Sequence, residues 1–206
     1  MYLKIHPQNP ESRNLDRVVE CLKNGGVVIY PTDTVYGIGC DIYNSRAVER
    51  IAKIKGLDPR KTNFSFICYD LSHLSDFTKP IDTALYRIMK KALPGPFTFI
   101  LKANKNVPKL FEGKKKTVGI RVPDNSIIRA VVKHLGNPVL TTSLHSEDQL
   151  SGYITDPEII NDKFGNLVDV VIDGGYGNNR PSTIIDCSNG EMKIIRRGIG
   201  DVDEIV

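Results

Sequence analysis

Amphipathic helical segments alternate with short apolar runs along most of this chain, and that alternation narrows the available folds more than any other feature. Leu15, Val18, Val19 and Leu22 fall on one helical face. Asn9-Pro10 before them reads as an N-cap followed by Pro at the first helical position, and Gly25-Gly26 as the stop. Val27 to Tyr30 then reads as a buried strand. The pattern repeats. A helix entered at Asn44 or Ser45 carries Val48, Ile51 and Ala52, and a strand spans Phe64 to Cys68. Asp82 caps a helix with Leu85, Ile88, Met89 and Ala92, ended by Pro94. Strands are expected at Phe97 to Leu101 and Val118 to Val122, then a helix from Ser126 through Leu135 closed by Gly136. Val139 to Thr142 is a strand, and Asp156-Pro157 opens a short helix. Strands at Val168 to Ile172, Thr183 to Asp186 and Met192 to Ile195 follow. Early alternation with late strands predicts an α/β or α+β domain on one large mixed sheet.

The chain has 206 residues, which at about 150 residues per domain predicts a single domain over residues 1–206. Its apolar runs are too short for a membrane span, and its first residues carry no signal-peptide core. A cytoplasmic protein is expected. Cys21, Cys40, Cys68 and Cys187 form no metal-binding spacing and are expected to be reduced and at least partly buried. The net charge of +4 allows nucleic-acid or polyphosphate binding without demanding it. Its densest basic stretch holds Lys102, Lys105, Lys109, Lys114, Lys115 and Lys116 against Glu112, either a solvated loop or an arm that meets phosphates.

Four segments are candidates for chemistry. Pro31 to Gly37 follows a strand directly, where α/β proteins place ligands, although Pro-Thr-Asp-Thr is also ordinary turn chemistry. Arg121 stands in an apolar strand, where a guanidinium is costly unless paired. Its partner is either a structural carboxylate or a ligand carboxylate or phosphate. Pro138 to His145 and Pro181 to Asp186 bring hydroxyls to strand ends. The chain has no P-loop, no GxGxxG after a strand, no HExxH and no GxSxG.

Read together, these segments resemble the YrdC-like threonylcarbamoyl-adenylate synthases, in particular their YciO branch. The resemblance spans about Val27 to Gly198. It rests on Tyr30 to Gly39, Pro94 to Thr98, Val118 to Pro123, Thr142-Ser143, Asp173-Gly174-Gly175, Ser182 to Asp186 and Ile195 to Gly198 in that order. It implies a twisted sheet around a concave, positively charged face. It also implies a reaction in which L-threonine, bicarbonate and ATP give threonylcarbamoyl-AMP and pyrophosphate, for threonylcarbamoyladenosine modification of tRNA. Mg²⁺ would come with ATP, with no metal ligand from the protein. Thr34, Arg121 and Ser182 would hold the threonine. Lys55, Asn63, Thr117, Ser143 and Arg196 would line the nucleotide side, with Lys55 and Arg196 in the catalytic roles. The alternative is that the basic concave face holds tRNA or double-stranded RNA without synthase activity.

Several positions depart from the family pattern. Lys-x-Arg reads Lys55-Gly56-Leu57, and Asn-Pro-Leu reads Asn63-Phe64-Ser65. A downstream His is replaced by Cys68, and Ser-x-Asn reads Ser143-Leu144-His145. The family's Ser-Gly loop is not recognisable between Glu147 and Thr155.

Overall fold

The protein is seen here as a computed structural model that describes residues 1–56, 58, 64–108, 116–144 and 152–206. Its strands are β1 (Tyr2–Lys4), β2 (Val28–Tyr30), β3 (Gly37–Asp41), β4 (Ser65–Ile67), β5 (Phe97–Lys102), β6 (Thr117–Arg121), β7 (Val139–Ser143), β8 (Val170–Asp173), β9 (Thr183–Asp186) and β10 (Lys193–Arg196). The helices are α1 (Ser12–Lys23), α2 (Ser45–Ile54), α3 (Leu74–Phe77), α4 (Thr83–Ala92), α5 (Ser126–Leu135) and α6 (Pro157–Phe164). All the strands join one sheet in the order β1-β8-β2-β3-β7-β4-β6-β5-β9-β10. Parallel pairs (β1 with β8, β4 with β6, β5 with β9) mix with antiparallel ones, so the expected α/β architecture on one large mixed sheet is the one observed.

Side chains alternate across a sheet, so each strand feeds both faces. On one face Ile29, Ile38, Leu140, Phe66, Ile120, Phe99 and Ile185 form a continuous core with Val48 and Ile51 of α2 and Met89 of α4. On the other, α1 and α5 pack Leu15, Val18, Val131 and Val132 onto Val28, Tyr30, Ile67, Val139, Val170 and Ile172. That second cluster contains no residue from β5, β6, β9 or β10. The α1–α5 layer therefore covers half of its face and leaves the other half to polar side chains. This uncovered half is where the candidate site lies.

Most helix boundaries follow the sequence signals. Asn44, Asp82 and Asp156 cap α2, α4 and α6 through their side chains, and Gly136 closes α5 in the left-handed region. Two caps are corrected. Glu11, not Asn9, is the N-cap of α1, with no side-chain cap. Asn125 rather than Ser126 caps α5, its carboxamide oxygen accepting from the amides of Ile127 and Ile128. The Ser126 hydroxyl is engaged elsewhere, by the carbonyl of Pro7.

β3 has an unpromising strand sequence, Gly-Ile-Gly-Cys-Asp. Its glycines are explained by what crosses it. The Tyr30 ring lies over β3, and its hydroxyl donates to Thr141 Oγ1 at 2.7 Å on β7. A Cβ at Gly37 would lie 2.9 Å from that ring, and one at Gly39 2.7 Å from the Tyr30 hydroxyl and 2.2 Å from the Leu140 carbonyl oxygen. Glycine inside a strand marks such a close approach. Gly39→Ala is expected to cost about 1–3 kcal/mol by overpacking. Urea unfolding should show a lower midpoint at unchanged slope.

The cysteines are unbridged thiols, as expected, with Cys40, Cys68 and Cys187 buried. Burial pushes Cys68 and Cys187 up to about 12 and Cys21 up to about 11, which keeps these thiols protonated. Among the described residues no helix is long and apolar enough to cross a membrane.

Candidate active site

The site begins with Arg121, the last residue of β6. It is 7% exposed, which the lone charge in an apolar strand led us to expect. Its Nη2 donates to Asp33 Oδ1 at 2.6 Å, to Thr34 Oγ1 at 2.6 Å and to Thr32 Oγ1 at 3.1 Å. Pro31 to Thr34, immediately beyond β2, is therefore more than a surface turn. It is folded by its own hydroxyls, the Thr34 amide donating to Thr32 Oγ1 and the Thr32 hydroxyl to the Val35 carbonyl. Asp33 and Thr34 thus share one nitrogen of the guanidinium.

The floor of the site consists of small residues. Ser65 pairs with Gly119 and Thr141, and Gly37 with Ser143. A Cβ on Gly119 would meet the Ser65 hydroxyl at 2.3 Å. Ser65, Thr98, Arg121, Thr141, Ser143, Ser182 and Arg196 line one pocket of about 170 Å³. At its far wall the hydroxyls of Thr98 and Ser182 lie 2.9 Å apart. Arg196 of β10 donates from Nε and Nη2 to the Ser182 carbonyl at 3.1 and 2.9 Å.

The two guanidiniums differ in their compensation. Arg121 has Asp33, in an ion pair whose side chains are 9% and 10% exposed. Among the described residues no carboxylate forms an ion pair with Arg196. Burial first, and then the charge of Arg121, hold Arg196 below its ordinary value. Tyr153, hydrogen-bonded to Ser143, is pushed up chiefly by its own burial and drawn back by Arg196. The pocket therefore carries a net positive charge next to hydroxyl donors, an arrangement suited to an anion.

A second, wider cavity of about 420 Å³ adjoins the first, lined by Thr32, Asp33, Thr34, Thr155, Tyr176, Gly177, Asn178 and Asn179. The Arg121–Asp33 pair is the wall between the two. The Asp173-Gly174-Gly175 turn is clasped nearby. The Tyr36 hydroxyl donates to the Gly175 carbonyl at 2.7 Å, and Asp173 Oδ1 accepts from the Gly175 amide.

Arg121, Ser182, Ser143 and Arg196 are brought together here, with Thr34 on Arg121. Thr117 stands on the same face of β6, two pleats from Arg121, beyond the pocket lining. Lys55 is the C-cap of α2 and is also absent from that lining. Asn63, Leu57 and His145 lie outside the described residues, as do Lys109, Lys114 and Lys115 of the basic stretch. Lys102, Lys105 and Lys116 are exposed. Thr98 and Tyr153 were not anticipated as site residues, and Thr141 was anticipated only as part of the hydroxyl-rich strand end from Pro138 to His145. Thr98 and Thr141 carried a readable signal, a hydroxyl inside an apolar strand, whereas Tyr153 carried none.

A mixed sheet half covered by helices, with a cationic hydroxyl-lined pocket on its open half, defines the class of protein. The chain belongs to the Sua5_yciO_yrdC family, described as telomere recombination, whose match covers residues 20–198. It is 43% identical over 205 residues to YciO of Escherichia coli (strain K12), covering 98% of this chain and 97% of that one. It is 32% identical over 182 residues to the threonylcarbamoyl-AMP synthase of Coxiella burnetii (strain RSA 493 / Nine Mile phase I), covering 88% and 96%. The crystal structure of E. coli YciO superposes with a TM-score of 0.92 at 40% identity, over 100% of this chain and 99% of that one. P. abyssi Sua5 complexed with L-threonine gives 0.89 at 24% identity over 100% of this chain and 59% of that one, which shows a shared fold.

Proposed function

We propose that the protein is an L-threonylcarbamoyladenylate synthase. The observation that carries this reading is the pocket in which two guanidiniums and several hydroxyls converge while, among the described residues, Arg121 alone of the two has a carboxylate partner. The synthase of Coxiella burnetii among its relatives supports the same reaction.

The threonine amine adds to the carbon of bicarbonate, with loss of water, to give a carbamate. A carbamate oxygen then attacks the α-phosphorus of ATP. The bond to the β-phosphate breaks, and pyrophosphate leaves. Such a reaction needs no protein nucleophile. It needs reactants held in line and phosphate charge stabilised by fixed donors. In this reading Arg121, Thr34 and Ser182 hold the threonine. Arg196 faces the phosphates, and Lys55, Asn63, Thr117 and Ser143 serve the nucleotide side. Among the described residues no group of three or more His, Cys, Asp or Glu could hold a metal ion. In this reading Mg²⁺ would arrive on the phosphates of ATP, where it would supply charge neutralisation.

Leu57 offers no donor where the family carries an Arg. A charge-assisted hydrogen bond is worth about 1.5–3 kcal/mol, so turnover roughly ten- to hundredfold below that of a Lys-x-Arg relative is expected. The test is threonylcarbamoyl-AMP formation, detected by mass, with pyrophosphate release dependent on both threonine and bicarbonate. Binding of ATP and threonine without product would overturn the reading.

A further inference from the structure

We propose that a third cavity, separate from the two around Arg121, binds an aliphatic polyamine, with Asp70 and Asp76 taking its ammonium groups and Tyr43 and Phe77 lying along its methylene stem. The inference goes beyond the synthase reading and does not rest on it.

The cavity has a volume of about 410 Å³, in the size range of small-molecule sites. It opens where the turn after β3, the stretch from β4 into α3 and the C-terminal end of α5 meet. It shares no lining residue with the two cavities around Arg121. Its apolar wall is made by the buried side chains of Cys68, Phe77, Val132 and Pro138. Its charged lining is two carboxylates, Asp70 and Asp76, against one ammonium, Lys133.

Charge decides the sign of the ligand. Lys133 is already engaged, its Nζ 5.2 Å from the centroid of the Tyr69 ring, which Arg129 also approaches to 5.1 Å. The carboxylates are only partly engaged. Asp70 accepts from the Ser72 amide and hydroxyl through Oδ1, and Asp76 meets His73 Nδ1 through Oδ2. Among the described residues Asp70 Oδ2 and Asp76 Oδ1 have no hydrogen bond, so each can take a donor. Cys68 and Tyr43 feel the resulting field. Burial is the first cause that raises each of them, and the charges that add to it are negative: Asp70 and Asp76 at Cys68, Asp41 and Asp76 at Tyr43.

Tyr43 supplies the second, independent observation. It is 62% exposed, and among the described residues its ring has no aromatic or cationic partner. Its backbone is nevertheless fixed. The Tyr43 amide donates to Asp41 Oδ1 at 2.9 Å, an oxygen that also accepts from Asn137 Nδ2 at 3.0 Å. Asp76 is held too, its carbonyl accepting from Asn106 Nδ2 at 3.0 Å. An open ring fixed in a cavity with carboxylates suits an ammonium ion. A compact cation would leave the apolar wall bare, and an anion would face Asp70 and Asp76. Ammonium groups joined by methylenes match both parts of the lining.

The test is calorimetric titration of the full chain with spermidine, without ATP, threonine or bicarbonate. The comparison ligands are 1,8-octanediol, a neutral chain of equal length, and suberate, the dicarboxylate of the same stem. Spermidine should bind saturably, one per chain, and roughly tenfold or more tightly than either. Asp76→Asn, at an exposed side chain, should weaken it roughly tenfold through loss of a charge-assisted contact. Tyr43→Ala should weaken it about two- to fivefold, as expected for an exposed cation–π contact. Because Tyr43→Ala changes no charge, it separates a built site from loose attraction to acidic groups. Spermidine binding that is not weakened by both variants overturns the proposal. So does octanediol or suberate binding as tightly as spermidine, or no saturable binding of spermidine in the millimolar range. If a variant does not fold, the three ligands on the unsubstituted protein still decide. Threonylcarbamoyl-AMP formation without spermidine binding removes this site and keeps the synthase reading, and the reverse result keeps the site and removes that reading.

Discussion

Arg121→Ala is expected to lower folding stability by about 3–5 kcal/mol and to abolish threonine-dependent product. The stability loss follows from what remains behind. Asp33, with a side chain only 10% exposed, would lose the one counter-ion it has among the described residues. The hydroxyls of Thr32 and Thr34 would lose the same donor. Urea unfolding of Arg121→Ala measures the loss, and Arg121→Leu combined with Asp33→Leu separates its causes. With both charges removed, the penalty of an orphaned buried ion disappears. The double variant should therefore be more stable than Arg121→Ala while remaining inactive. A stability change below about 1 kcal/mol in Arg121→Ala would show that the pair is hydrated and that its burial has little energetic weight.

That prediction joins two segments that the sequence presents far apart. Arg121 could be singled out because a charge interrupts an apolar strand, and Pro31 to Thr34 because polar residues follow one directly. Their contact is another matter. Asp33 and Arg121 are 88 positions apart, and β3, β7 and β4 intervene between β2 and β6 in the sheet. No local pattern encodes that order. It depends on which strand edges pair, and pairing is settled by the whole core. The same limit hid β1, a three-residue strand that pairs with β8, far along the chain.

Helices were legible because their signals are local. An apolar stripe and an Asx cap specify α2, α4 and α6 within a dozen residues. β3 failed for the opposite reason. Glycines lower strand propensity, yet Gly37 and Gly39 are there to admit the ring of Tyr30. Judged without its neighbour, β3 looks like a loop. Judged with it, the run from Tyr30 to Gly39 is one packing unit that carries an aromatic ring across a strand and leaves Asp33 and Thr34 projecting beyond β2. The candidate site was legible as residue types in order. Its division into two cavities and, among the described residues, the lack of a carboxylate on Arg196 were not, because both depend on where helices stop covering the sheet.

Arg196→Ala should behave in the opposite way to Arg121→Ala with respect to folding. Arg196 lies on the edge strand β10 and is only partly buried, so water can replace the donors it offers to the Ser182 carbonyl. Its charge is partly withdrawn from water and close to Arg121, with no carboxylate paired to it among the described residues. Removing a charge that is desolvated and repelled relieves strain on the fold as well as deleting contacts. The net change in stability should stay within about 1 kcal/mol of zero, or be a gain, as often happens when a functional charge is removed. Activity should not be spared. A preorganised cation facing developing phosphate charge is worth roughly a hundred- to thousandfold in turnover. Pyrophosphate release should fall by about that factor, while threonine binding measured without nucleotide stays close to that of the unsubstituted protein. Thermal unfolding and pyrophosphate release on the same preparation check both halves. A variant that unfolds several kcal/mol more easily and loses threonine binding together with turnover would make Arg196 a clamp on the Ser182 strand. The positive charge that serves the pocket would then rest on Arg121.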